Sequence, residues 1–262
     1  MNHKKKLRKD RIFLILGIVI VLVLGVIVGI NVISHDKDNN EQNDNDKVTE
    51  ETTQKEENET PKEIGTVVLD AGHDVLHGGC VKGKITEQDI TLKYVKEIGR
   101  ILEENNVKVI YTREDNNALD SDRFTCIRKR AELGEEYNAD YFVSIHVNSL
   151  DKMKKESGFE IYTVKKYKDS VDFAEIVAKH MEKLNFSPNK GILDGSDLRV
   201  LRLSTTMPIL IELGYITGDD INYLTDDNKT TQLSQAICDG IIEKIKKGKL
   251  EPDLVLEKQP DL

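Results

Sequence analysis

Short apolar runs alternate with longer amphipathic segments between residues 64 and 247. Short runs that are rich in β-branched residues and bounded by polar residues or glycine predict strands. Such runs lie at residues 66–69, 107–112, 141–147, 159–164, 199–203 and 208–214. Apolar positions at helical spacing predict helices near residues 90–104, 120–137, 170–184 and 230–247. Strands that alternate with helices indicate an α/β fold of three layers (α/β/α), in which helices cover both faces of a mostly parallel sheet.

A different pattern precedes this domain. Residues 1–11 are basic, and residues 12–33 form an apolar run broken only by glycines and Asn31. A helix of about 20 apolar residues spans a hydrocarbon core of roughly 30 Å, so the run predicts a transmembrane anchor. The basic cluster predicts a cytoplasmic N-terminus and an extracellular domain. A cleaved signal peptide is the alternative, and it also exports the domain, as a secreted protein.

The next segment is polar and acidic. Val48 is the only large apolar residue in residues 34–63. Such a segment cannot bury enough apolar surface to fold, so we predict a disordered linker. Residues 64–247 are then the exported, folded domain. We predict a disordered tail at residues 248–262, which include Pro252 and Pro260.

The net charge and the cysteine content limit the classes of function that the chain can have. The formal net charge is -9, which argues against nucleic acid as a partner because phosphates need a basic surface. The three cysteines, Cys80, Cys126 and Cys238, are odd in number and widely spaced. We therefore predict no structural disulfide in the exported domain.

Two histidines lie where predicted strands end. His73 follows residues 66–69 closely, and His146 lies near the end of the run 141–147. Since neighbouring parallel strands bring such ends together, the two imidazoles are a possible metal pair. The alternative is a solvent-facing loop histidine and a satisfied core histidine. His77 is a competing ligand, although the surrounding glycines argue against a helical pair with His73.

Two glutamates add to this pattern. Glu212 interrupts the apolar run 208–213, and a buried carboxylate is costly unless it is paired, protonated or bound to a metal. Alternation along an edge strand could instead turn Glu212 towards solvent. Glu87 follows a glycine-containing loop, and taken alone it is best interpreted as the start of the first helix.

Five sequence blocks occur together in a characteristic order. They are Val67-Val68-Leu69-Asp70-Ala71-Gly72-His73, Thr86-Glu87-Gln88-Asp89-Ile90-Thr91-Leu92, Tyr111-Thr112-Arg113-Glu114-Asp115, Ala139-Asp140-Tyr141-Phe142-Val143-Ser144-Ile145-His146-Val147-Asn148 and Pro208-Ile209-Leu210-Ile211-Glu212-Leu213-Gly214-Tyr215. Together they resemble the zinc-dependent N-acetylmuramoyl-L-alanine amidases of the Amidase_3 type, over about residues 64–245. The resemblance also implies a sheet of about six strands.

The resemblance implies a specific site. It maps the ligands of a Zn²⁺ ion onto His73, Glu87 and His146, and the catalytic glutamate onto Glu212, which acts as general base and acid. Two histidines and a glutamate leave a fourth position open for water, as in hydrolytic zinc sites. The reaction implied is hydrolysis of the amide between N-acetylmuramic acid and L-alanine in peptidoglycan.

The chain departs from the family pattern in two places. Residues 74–80 replace the usual glycines and acidic residue after the Gly-His pair, so the loop beside the metal is atypical. Arg130 matches a family arginine, but Gly134 and Glu135 stand where Ala-Asn is expected, and we assign Arg130 no catalytic role. The alternatives are a non-catalytic peptidoglycan-binding module of the same fold and a zinc peptidase acting on the stem peptide. Regulation would depend on the anchor or on an unidentified partner protein.

Overall fold

The structure is a computed structural model that describes residues 62–150 and 156–248. No helix within these ranges is long and apolar enough to cross a membrane. The predicted anchor at residues 12–33, nearly all of the predicted linker and residues 249–262 lie outside the described residues.

Eight strands and six helices are described. The strands are β1 (Gly65–Ala71), β2 (Val81–Lys82), β3 (Ile85–Thr86), β4 (Val107–Tyr111), β5 (Tyr141–Asn148), β6 (Phe159–Thr163), β7 (Asn189–Asp194) and β8 (Met207–Tyr215). The helices are α1 (Glu87–Glu104), α2 (Arg123–Glu136), α3 (Lys168–Glu182), α4 (Arg199–Leu203), α5 (Asp220–Leu224) and α6 (Asp227–Gly248).

Six of the strands form one sheet in the order β4-β1-β5-β8-β6-β7. The pairs β1–β4, β1–β5 and β5–β8 are parallel, whereas β6 is antiparallel to β8 and parallel to β7. The prediction of a mostly parallel six-stranded sheet is therefore confirmed. The short strands β2 and β3 form a separate antiparallel pair.

Alternate residues of β1 pack into two different helix layers. Val67 and Leu69 belong to the main core with α1, α3 and α6. Val68 faces the opposite side, where it packs with Phe142 and with Leu133 of α2. Because β1 is covered on both faces, it has an almost continuous apolar sequence, as expected for a central parallel strand. The three-layer α/β/α architecture is confirmed.

Local signals account for the limits of the first helix. Thr86 is the N-cap of α1, and its hydroxyl accepts a hydrogen bond from the Asp89 backbone N–H at 3.3 Å. The helix ends at Glu104, and Asn106 follows in the left-handed region with φ of 61°. Asparagine tolerates this conformation better than most residues, which explains the stop at the predicted Asn105-Asn106 pair.

One predicted strand is wrong. Residues 199–203 form the short helix α4, which buries Leu201 and packs against α2 rather than pairing in the sheet. The run Arg199-Val200-Leu201-Arg202-Leu203 mixes apolar and charged residues without a helical period. In the folded chain one helical turn buries Leu201 and leaves both arginines partly exposed. Strand β7 and helix α5 were not predicted.

Candidate metal centre

The carboxyl ends of β1 and β5 lie side by side in the sheet. The chain leaves β1 for β4 on one side and then crosses to β5 on the other side, so the strand order reverses between β1 and β5. Ligands of open α/β sheets bind at such a switch point, outside the carboxyl ends of the strands. His73 follows β1 directly, and His146 is near the end of β5.

The three predicted metal ligands meet at this point. The Glu87 Oε1 atom lies 3.0 Å from His146 Nδ1 and 3.3 Å from His73 Nε2. One ligating atom from each residue lies within 4.8 Å of the other two. Glu87 is the first residue of α1, so the helix-start interpretation was correct and the same position also directs the carboxylate towards both imidazoles.

The charges at this centre depend on one another. Burial opposes ionisation of Glu87, but the hydrogen bonds and the proximity of His146 and His73 prevail and hold the pKa of its carboxyl far below the usual range. Burial likewise acts to lower the pKa of His73, yet the Glu87 carboxylate raises it overall. Two imidazole nitrogens and one ionised carboxylate oxygen form a donor set that suits a zinc ion.

Two glycines leave room for these side chains. A Cβ atom at Gly72 would overlap the His146 ring, and one at Gly79 would overlap the Glu87 carboxylate. The Cys80 backbone N–H donates to Glu87 Oε2 at 2.9 Å, which leaves Oε1 facing the histidines. The close approach of backbone to both ligands therefore requires glycine at each position.

His73 has a backbone conformation that histidine adopts infrequently. Its φ is 63°, in the left-handed region, and such strain is common at functional sites. The Nδ1 atom lies 2.9 Å from the His77 carbonyl oxygen, which accepts its proton and leaves Nε2 directed at Glu87. A second-sphere hydrogen bond of this kind fixes the tautomer and orientation of metal-binding histidines.

A buried arginine stabilises this strained turn. Arg130 donates to Asp70 Oδ1 at 2.8 Å and to Asp74 Oδ2 at 2.9 Å, and also to the carbonyl oxygens of Ala71 and His73. Burial acts to raise the pKa of Asp74, but hydrogen bonds from His77 and the positive charge of Arg130 lower it to about 2. These contacts give Arg130 a structural role in holding the turn.

A second arginine holds the same turn from the other side. Arg113 donates to the carbonyl oxygens of Ala71 and Gly72 at 2.9 and 3.1 Å, and to that of Gln88 at 2.8 Å. This role was not predicted from the sequence, although Arg113 follows β4 as closely as His73 follows β1. Its position after a strand was the available signal.

Glu212 lies next to this centre on an interior strand. In the register of β5 and β8 it pairs with His146, so both side chains are on the same face of the sheet. Its Oε2 atom is buried and accepts no hydrogen bond within the described part of the chain. Burial, and then the negative charges of Glu87 and Glu160, raise the pKa of Glu212 well above its usual range. The edge-strand alternative for Glu212 is wrong, because β8 has neighbours on both sides.

Glu160 is a buried carboxylate next to the half-buried Glu212, and it was not predicted from the sequence. It pairs with Glu212 across β6 and β8, on the side opposite His146. It accepts hydrogen bonds from the hydroxyls of Tyr215 at 2.6 Å and Tyr162 at 2.9 Å. The signal was the same as for Glu212, a glutamate inside a predicted apolar strand.

His77 does not direct its ring at the Glu87 carboxylate. The ring lies 3.0 Å from Asp74 Oδ1 through Nδ1 and 3.2 Å from the Ser121 carbonyl oxygen through Nε2. Asp74, His77 and Cys126 do bring three ligating atoms within 4.8 Å of one another. However, Asp74 already pairs with the Arg130 cation, which disfavours a metal ion there. All three cysteines of the chain are free thiols.

Comparison with known proteins places this centre in a family. The model of the N-acetylmuramoyl-L-alanine amidase family Amidase_3 matches residues 67–243. The chain belongs to this family. Among its relatives, the "Probable cell wall amidase LytH" of Staphylococcus saprophyticus subsp. saprophyticus is 31% identical over 191 residues, which are 71% of this chain. The chain spans only 60% of the length of that relative.

Solved structures of amidases share the fold. The N-acetylmuramoyl-L-alanine amidase AmiC2 of Nostoc punctiforme is 30% identical with a TM-score of 0.64, and the match covers 71% of this chain and 99% of AmiC2. The catalytic domain of CwlV, an amidase from Bacillus (Paenibacillus) polymyxa var. colistinus, is 28% identical with a TM-score of 0.62, over 70% and 98% of the two chains. The Amidase_3 resemblance seen in the sequence is thereby confirmed.

Proposed function

We propose that this Amidase_3 member hydrolyses the amide bond between N-acetylmuramic acid and L-alanine in peptidoglycan. This proposal rests mainly on one arrangement. One ligating atom each of His73, Glu87 and His146 lies within 4.8 Å of the other two. Glu212, a half-buried residue with a buried Oε2 atom, pairs with His146 in the sheet. Family membership and the related cell-wall amidases support the same reaction and substrate.

The cofactor proposed is one zinc ion held by the three converging side chains. When bound, zinc polarises a carbonyl and makes water a competent nucleophile near neutral pH. The donor set of two imidazoles and one carboxylate leaves a position open for hydrolysis. The Glu87 carboxylate supplies one negative charge to this set, and the His77 carbonyl keeps His73 turned so that Nε2 faces the centre.

Glu212 is the proposed general base and acid. It accepts a proton from the attacking water and then donates that proton to the nitrogen of the departing L-alanine. Its buried setting raises its pKa, which makes the carboxylate a stronger base and lets it keep the proton until the C–N bond breaks. No described residue donates a hydrogen bond to the Oε2 atom, so this oxygen is available to take the proton.

Digestion of purified peptidoglycan tests the reaction. The zinc-loaded chain should release peptides with new L-alanine amino termini, and Glu212→Gln should reduce the rate by roughly 10²–10⁴-fold while zinc content is unchanged. Binding to cell walls without cleavage would indicate the non-catalytic module. Release of single amino acids would instead indicate a peptidase of the stem peptide.

We further propose that residues 12–33 anchor the protein, with the domain on the outer side of the membrane and residues 34–63 as its tether. The apolar run and the basic residues before it support this topology. Membrane fractionation of cells that make the full chain should find it in the membrane fraction, and protease added to protoplasts should degrade the domain. A shortened chain in the medium would indicate a cleaved signal peptide. Control by a partner protein stays a prediction.

A further inference from the structure

Both oxygen atoms of the Glu87 carboxylate are held by neighbouring groups. Oε1, which contacts the two imidazoles, also accepts a hydrogen bond from the Val147 backbone N–H at 3.0 Å. The other oxygen, Oε2, accepts from the Cys80 backbone N–H at 2.9 Å, and the Cys80 Sγ atom lies 3.1 Å from the same oxygen. Cys80 therefore contacts Oε2 twice, once through its main chain and once through its thiol.

A short hairpin places Cys80 opposite Glu87. Strands β2 and β3 are antiparallel, and Val81 pairs with Thr86. One position further along, the Glu87 backbone N–H donates to the Cys80 carbonyl oxygen at 2.9 Å. The turn of the hairpin contains Gly83 with φ of 65°, a conformation that glycine adopts without strain. The hairpin thus ties the main chain of Cys80 to that of Glu87 and brings the thiol to the carboxylate.

The Cys80 thiol has one proton and two acceptors within reach. Besides Glu87 Oε2, the Val147 carbonyl oxygen lies 3.0 Å from the sulfur. Hydrogen bonds to ionised acceptors are roughly twice as strong as those between neutral groups, so the carboxylate is the preferred acceptor. Glu87 is only 4% exposed, so water has little access to the carboxylate and would not replace a lost protein donor.

The sulfur itself lies outside the donor set of the metal centre. In the described part of the chain, the ligating atoms that lie within 4.8 Å of one another here belong to His73, Glu87 and His146, and the group does not include Cys80. The thiol therefore contacts a ligand and not the position that the ligands enclose. Donors that occupy Oε2 restrain the carboxylate to offer Oε1 alone, so that three protein ligands leave the fourth position open.

We propose that the Cys80 thiol is a positioning group for Glu87, which donates to Oε2 and thereby keeps Oε1 directed at the metal. This inference rests on the zinc site proposed above. Hydrogen bonds to ligating carboxylates orient them, and their loss typically weakens metal binding 10–100-fold. Cys80 is the last residue of the atypical segment 74–80, so this segment contributes a side-chain contact to the metal centre.

Zinc affinity, measured by competition with a chelator, tests this role separately from activity. Cys80→Ala keeps the backbone donor and removes the thiol, so the full-length variant should bind zinc roughly tenfold more weakly than the parent chain. Cys80→Ser should recover part of the loss, because its hydroxyl can donate to the same oxygen. The control is Cys238→Ala, which removes a buried thiol that donates to the Ile98 carbonyl oxygen at 3.4 Å, and it should keep the parent affinity.

Replacement of zinc by Co²⁺ distinguishes positioning from direct ligation. The visible absorption of Co²⁺ reports its coordination geometry, so the Cys80→Ala spectrum should differ from that of the parent, and the Cys80→Ser spectrum should resemble it. Equal zinc affinities of the parent and Cys80→Ala, or equally weak binding by the alanine and serine variants, would overturn the proposal. A sulfur-to-cobalt charge-transfer band in the parent would also overturn it, since the sulfur would then be a ligand. A parent chain that binds no zinc would contradict the zinc site itself, and this inference with it.

Discussion

His146 and Glu212 are paired residues on the adjacent parallel strands β5 and β8, and both side chains lie on the same face of the sheet. One belongs to the cluster of three proposed metal ligands, and the other has a buried carboxylate oxygen without a hydrogen bond from the described residues. The strand register thus places the proposed proton carrier beside the proposed metal ligand. No flexible loop contributes to this relationship.

Zinc content should depend on His146. Replacing it in His146→Ala removes one of three protein ligands, so the purified variant should lose zinc during dialysis at near-neutral pH, while the parent chain keeps about one ion. Atomic absorption of the dialysed proteins measures this. The control is Cys126→Ala, which alters the neighbouring Asp74, His77 and Cys126 cluster and should leave the zinc content unchanged. The reverse pattern would move the metal to that cluster.

Gly79 and its neighbour Gly78 should respond differently to alanine. A Cβ at position 79 would overlap the Glu87 carboxylate, whereas one at position 78 would meet Gln88 Oε1 at 3.3 Å, a mobile side-chain end. We expect Gly79→Ala to weaken zinc affinity roughly 10–100-fold, as for other disturbances next to a metal ligand. Competition with a zinc chelator measures the affinity. Similar affinities for the two variants would show that Glu87 is not held as described.

Replacing Arg130 should destabilise the fold more than replacing the neighbouring exposed cation Lys129. Arg130→Gln removes the partner of two buried carboxylates, Asp70 and Asp74, which should lower the free energy of unfolding by about 3–5 kcal/mol. Lys129→Gln breaks an exposed pair with Asp120 and a contact with the Leu119 carbonyl oxygen, and it should lower the free energy of unfolding far less. Urea denaturation of the zinc-free proteins gives both values. Equal losses would contradict a structural role for Arg130.

Much of the fold could be predicted from periodicity, and the failures have physical causes. The strands around Val67 and Ile145 are buried on both faces, so their apolar runs were unmistakable. Strand β7 was missed because it is an edge strand that pairs only with β6 and has no fully buried residue. Residues 199–203 were mistaken for a strand because one turn of helix is too short to show a helical period.

The residues proposed to carry out the chemistry could be predicted from the sequence, whereas the contacts that hold them in place were harder to predict. His73, Glu87, His146 and Glu212 could be named from the family resemblance, and the structure brings them together. Their support was harder to predict, since Arg113 and Arg130 act through backbone carbonyls distant in sequence and Glu160 through the Tyr215 hydroxyl. Only the folded chain shows which charged residues meet.

We propose that His73, Glu87 and His146 together hold one zinc ion. The most direct measurement is a crystal structure of the zinc-loaded chain with anomalous data collected on both sides of the zinc absorption edge. We predict one strong anomalous peak, enclosed by these three side chains and adjacent to Glu212. A peak between Asp74, His77 and Cys126, or the absence of any zinc peak beside Glu87, would contradict the account.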